Sequence, residues 1–81
     1  MELSPLDPNV VSVIQQYAAR KHEWQPSAYR IEADPPSAEG YLVYSILHGD
    51  DRRRAVPGRG KSIQVYYDRA TNRVVQEFIL M

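Results

Sequence analysis

The hydrophobic period of this chain changes once, at Pro26, and that change limits the fold more than any other feature. Before it, Val10, Ile14, Tyr17, Ala18 and Lys21 recur at three- to four-residue spacing, with Val11 and Val13 widening the stripe. This is the pattern of a helix burying one face. After it, apolar and polar residues alternate with period two, as in strands with one wet side. The expected fold is α+β: one N-terminal helix packed on a three- or four-stranded antiparallel sheet, in the order α-β-β-β-β. At 81 residues the chain suits a single domain spanning 1–81.

The helix carries its own punctuation. Asp7 is placed to cap free amides and Pro8 to occupy the first turn, where its missing N–H costs nothing. Leu6 and Val11 fall at the positions of a hydrophobic staple. Arg20, Lys21 and His22 put positive charge against the last carbonyls, and Pro26 stops any continuation. Three valines and an isoleucine are weak helix formers, so the helix must depend on burial against a sheet, with Trp24 closing one end of the core.

Four strands follow. Tyr29, Ile31 and Ala33 alternate with Arg30, Glu32 and Asp34 before Pro35-Pro36 ends the run. The segment 41–48 is apolar on nearly both faces and reads as a central strand. Residues 49–60 form a long polar connection, of the length that usually binds something or is loose. A strand over 61–68 then meets one over 74–81 through Asp68-Arg69-Ala70-Thr71-Asn72-Arg73, a turn in which Asp68 and Thr71 bond amides and Asn72 accepts a left-handed backbone.

Composition removes several function classes. With no cysteine there is no disulfide, thiolate nucleophile or cysteine-bound zinc. Ten basic residues balance ten acidic ones, so strong attraction to nucleic acid or anionic lipid is not expected. The charges are nevertheless segregated, six acids against three bases in residues 1–48 and four against seven in 49–81. No stretch approaches the roughly 20 apolar residues of a membrane helix, so no membrane insertion is expected. The sequence as it stands reads as cytoplasmic, or as periplasmic or extracellular if an export signal has been removed.

No residue pattern specifies catalysis, and the expectation is a non-enzyme without cofactor or metal. Ala55-Val56-Pro57-Gly58-Arg59-Gly60-Lys61-Ser62 ends like a phosphate loop, but Ala55 stands where glycine is needed and a strand follows instead of a helix. His22-Glu23 and His48-x-Asp50-Asp51 offer ligand atoms on distant elements, short of a convergent metal site. Glu32, Asp34, Asp50, Asp51 and Glu77 lack a pocket signature, and Ser45 with His48 lacks a nucleophile elbow.

Binding is better represented. Arg52, Arg53 and Arg54, with Arg59 and Lys61, can grip the carboxylates of an acidic protein surface. Tyr44 and Tyr66 are the candidates for interface area on the sheet face away from the helix. The last strand, apolar on both alternations, favours a homodimer or strand addition by a partner. A nucleic-acid-binding module using the basic loop 52–61 and the sheet tyrosines is the alternative. Asp50 and Asp51 beside the arginines, and the lack of an aromatic RNA-binding pattern, count against it.

The run Gln64-Val65-Tyr66-Tyr67-Asp68-Arg69-Ala70-Thr71-Asn72-Arg73-Val74-Val75 resembles the ending of PepSY domains, where an apolar strand enters an Asp-x-x-Thr-Gly-Lys-type turn; here Asn72 replaces the glycine. The order of elements is similar to cystatin-like folds. Gly58-x-Gly60-Lys61-Ser62-Ile63 resembles the start of the final hairpin of small bacterial immunity proteins with a cone-shaped α+β fold. These resemblances imply stoichiometric binding or inhibition of another protein and supply no catalytic residue.

Overall fold

The computed structural model describes residues 2–49 and 61–80. Helix α1 spans Pro8–His22 and begins as its punctuation requires: the Asp7 carboxylate accepts the Val10 amide at 3.0 Å and Pro8 takes the first turn. The expected staple adds little burial, because Leu6 is exposed. At the other end Glu23 adopts a left-handed backbone (φ 59°), and its N–H and that of Trp24 both donate to the Ala18 carbonyl. Two carbonyl lone pairs are thereby used where the helical ladder stops.

A single 3-10 turn, Pro26–Ala28, leads into β1 (Tyr29–Asp34), followed by β2 (Leu42–His48), β3 (Ile63–Asp68) and β4 (Arg73–Ile79). The four strands lie in the order β1-β2-β3-β4, every neighbour antiparallel, so the sheet is a meander with helix α1 packed across it. The expected connection at 49–60 lies outside the described residues beyond Gly49.

Register sorts the side chains into rows. On the helix side one row runs Ile31, Ile46, Ile63, Ile79 and the next Ala33, Tyr44, Val65, Glu77. Val10, Ile14 and Ala18 of α1 close over them with Leu42 and Tyr67, forming one core. Ile14, Ala18, Tyr44, Ile46 and Val65 are wholly excluded from water. Burying side chains of this size contributes about 1.5–3 kcal/mol each for the larger ones, which offsets the poor helix propensity of the valine-rich segment. Trp24 packs against one end of this core, as its position led us to expect.

The reverse side carries the rows Glu32, Ser45, Gln64, Phe78 and Asp34, Val43, Tyr66, Gln76. Tyr66 pairs with Gln76 but Tyr67 with Val74, so Val75 is an extra residue in β4. That bulge breaks the alternation of the last strand. Val74 and Glu77 both turn toward the helix, an arrangement that strict period-two reading cannot produce.

Candidate functional site

On the reverse side, Tyr66 sits between two other rings: its centroid is 5.3 Å from that of Phe78 and 6.4 Å from that of Tyr41, both tilted. These spacings are those of edge-to-face aromatic contact. Phe78 is half exposed, and Val43 beside them is buried. The strip therefore presents a ring surface fixed by its neighbours, which costs little side-chain entropy when a partner covers it.

Next to the rings lies a fixed carboxylate. Asp34 ends the edge strand β1, and its backbone carbonyl accepts both the amide (2.9 Å) and the hydroxyl (2.7 Å) of Ser4. Its side-chain Oδ2 accepts Ser45 Oγ at 2.6 Å and Gln64 Nε2 at 3.2 Å, reaching donors on the two central strands. The Ser4 hydroxyl in turn accepts the Val43 amide at 2.9 Å, tying the same corner to β2. Glu32 on the same face is already paired with Arg30 at 2.9 Å.

A second polar cluster lies at the C-terminal end of α1. Glu77 Oε1 accepts the Tyr17 hydroxyl and lies 2.8 Å from His22 Nε2, with both side chains of the His22–Glu77 pair largely shielded. Burial pushes the Glu77 carboxyl up, but the hydrogen bonds from Tyr17 and His22 and the charges of His22 and Lys21 outweigh it, leaving the group below its ordinary range. Burial, the bond to Glu77 and that carboxylate's charge all raise Tyr17. His22 stacks on Trp24 at 4.4 Å, and His48 approaches the other side of the cluster at 4.8 Å from the same indole. The histidines of two distant elements thus meet around one tryptophan. Among the described residues no group of three His, Asp or Glu side chains is placed to hold a metal ion. A nearby cavity of about 200 Å³ is lined by Ser27, Ala28, Tyr29, Arg30, Leu47 and Gly49, and none of His22, His48 and Glu77 reaches it.

Of the residues singled out from sequence, Tyr66 lies on the reverse face and Tyr44 does not. The Tyr44 ring is wholly buried on the helix side and its hydroxyl donates to the Pro5 carbonyl. The cause is its row: small Ala33 and Val65 flank it and leave room for a ring beneath the entry to α1. Lys61 stands exposed just before β3. Arg52, Arg53, Arg54 and Arg59 lie outside the described residues.

Sequence reasoning missed Tyr41 and Phe78 as neighbours of Tyr66, the Asp34–Ser45–Gln64 network and the Glu77 clamp. Alternation in β1 did place Asp34 on the wet side, but its partners depend on register across three strands. Among the described residues, no helix is long and apolar enough to cross a membrane. Comparison with protein-family models, with curated proteins and with solved structures finds no match for the chain.

Proposed function

We propose that the chain acts by stoichiometric binding of another protein, as an inhibitor or immunity-type protein does, and that the reverse sheet face is its contact surface. The observation that carries this reading is the ring strip Tyr41–Tyr66–Phe78 lying beside the half-exposed end of β4. Partly exposed aromatics held by one another are the residues that dominate protein interfaces. Inhibition is what the hairpin's resemblance to PepSY and immunity proteins implies. Arg52, Arg53, Arg54 and Arg59 remain proposed auxiliary contacts to carboxylates of that partner.

The nucleic-acid alternative is weaker on this face. A base would stack on Tyr66, but Glu32 and Asp34 project from the same side and oppose phosphate.

The test is capture with the purified protein as bait, followed by stoichiometry and affinity with the partner so identified. Tyr66→Ala and Phe78→Ala are expected to weaken the complex by about 2 kcal/mol each where the ring is a hot spot, whereas Arg20→Ala on the exposed helix face is expected to leave it intact. Equal affinity of all three variants would remove the reverse face from the reading. Charge reversal at Arg52–Arg54 tests the loop separately.

A further inference from the structure

We infer that Asp34 and Tyr66 together form a receptor for a cationic side chain, a lysine or arginine presented by the protein partner. This rests on the reading of the reverse face as the contact surface and adds the chemistry of what lies at its centre.

The argument begins with the Asp34 carboxylate. Its backbone is pinned by two bonds from Ser4, and its Oδ2 is held by the hydroxyl of Ser45 and the amide of Gln64. Both side-chain donors are neutral, so they orient the carboxylate without cancelling its charge. Both bonds fall on Oδ2, and among the described residues no hydrogen bond reaches Oδ1. The ion pairs among the described residues are His22–Glu77 and Arg30–Glu32, and neither includes Asp34. A half-buried carboxylate held in one orientation, with no cation paired to it among the described residues, is a prepared acceptor, because the ordering cost has been met in folding.

The surroundings select the kind of donor. Asp34, Val43 and Tyr66 occupy one row of three adjacent strands, so Tyr66 lies two strand spacings, about 10 Å, from Asp34 across a buried valine. Val43 itself is already shielded, so a long side chain laid along that row packs its methylene stem against the partly exposed ring of Tyr66. With its charged end at the Asp34 carboxylate the partner's stem covers that ring, and a guanidinium or ammonium seated nearer the rings meets the faces of Tyr66 and Tyr41. A neutral or acidic side chain gains neither interaction. The partner's contact point is therefore basic, although the arginine-rich loop had suggested an acidic partner; a dipolar partner surface satisfies both.

The experiment is a titration of the full chain with two short capped peptides of equal size, acetyl-Gly-Arg-Gly-amide and acetyl-Gly-citrulline-Gly-amide, followed by amide chemical shifts. Citrulline keeps shape and removes charge. Saturable shifts at Asp34, Ser45, Gln64 and Tyr66 are expected with the arginine peptide, with affinity about fivefold or more above that of citrulline, the factor separating charge-assisted from neutral hydrogen bonds. Asp34→Asn is expected to erase the difference, and rising salt to reduce it. Tyr66→Leu, which keeps an apolar residue and removes the ring quadrupole, is expected to weaken arginine binding. If Asp34→Asn fails to fold, the native protein's arginine-to-citrulline ratio and Tyr66→Leu carry the test. Equal affinities for the two peptides, or shifts confined to other residues, would overturn the cation receptor. Loss of partner capture in Tyr66→Ala beside undiminished capture in Asp34→Asn would overturn it too, while leaving the contact face standing.

Discussion

Glu77 is the residue through which the outermost strand holds the helix, since its Oε1 meets both Tyr17 and His22 of α1. The linkage has a definite sign. Because the folded carboxyl titrates below its ordinary range, the unfolded chain takes up the proton first. Its contribution is complete above the unfolded glutamate value of about 4.3 and disappears as pH falls through the folded value. Tyrosine runs the other way. Tyr17 is raised by burial and by Glu77, and Tyr44 is pushed up to about 12, by burial first and by the charge of Asp7. Their contribution is complete below the unfolded tyrosine value of about 10 and is lost as pH rises through the folded values. Denaturant unfolding across pH is expected to show both limbs, and Glu77→Gln to flatten the acidic one. A second pair of variants separates a bonded hydroxyl from an orphaned one. Tyr17→Phe removes a bond and is expected to cost about 1 kcal/mol, whereas the Tyr29 hydroxyl is buried without a partner among the described residues. Tyr29→Phe should therefore be neutral or stabilising in the same measurement.

Among the described residues, two without glycine's freedom hold left-handed backbone at element ends, Glu23 after α1 (φ 59°) and Asn72 in the β3–β4 turn (φ 56°). They are not equivalent. Asn72 is compensated, its Oδ1 accepting the Tyr67 hydroxyl and the Asn9 amide, the latter at 3.3 Å. No such side-chain bond helps Glu23, so Glu23→Gly is expected to raise stability by up to about 1 kcal/mol, while Asn72→Val should lower it by about 1–2 kcal/mol or more. Thermal and urea midpoints read both. This contrast also marks how far the elements were legible. The start of α1 could be placed because Asp7 and Pro8 act locally, and the turn because Asp68, Thr71 and Asn72 do so. The face of Tyr44 could not be read, because a central strand apolar on both sides has no wet residue to set its parity. The bulge at Val75 was hidden for the same reason: in β4 both alternations are mostly apolar, so nothing in the strand marks where one extra residue enters. The sequence consequently left Glu77 without an assigned partner, and the register past the bulge turns it toward the helix.

The whole molecule is asymmetric at its two sheet edges. β1 exposes the Arg30–Glu32 ion pair and is bounded by Pro26 before and Pro35-Pro36 after, features that discourage another strand from pairing there. β4 has no proline or lysine and carries its one cation, the exposed Arg73, at its first position; beyond it the strand exposes Val75, Phe78 and Ile79, and its one carboxylate is turned inward to Tyr17 and His22. The bulge at Val75 interrupts the edge but leaves Gln76–Ile79 regular. Against an apolar edge, repulsion between copies depends on net charge, and with a sequence isoelectric point near 6.7 that repulsion vanishes close to neutrality. Self-association is therefore expected to be greatest near that pH and to fall on either side as net charge grows. Sedimentation or light scattering across pH measures it. Ile79→Lys places a charge on an exposed position of β4 outside the ring strip, so it is expected to reduce association at every pH while leaving the Tyr66 face available. An association that follows pH but ignores Ile79→Lys would move the contact from the β4 edge to the exposed leucines of the N-terminal segment, Leu3 and Leu6.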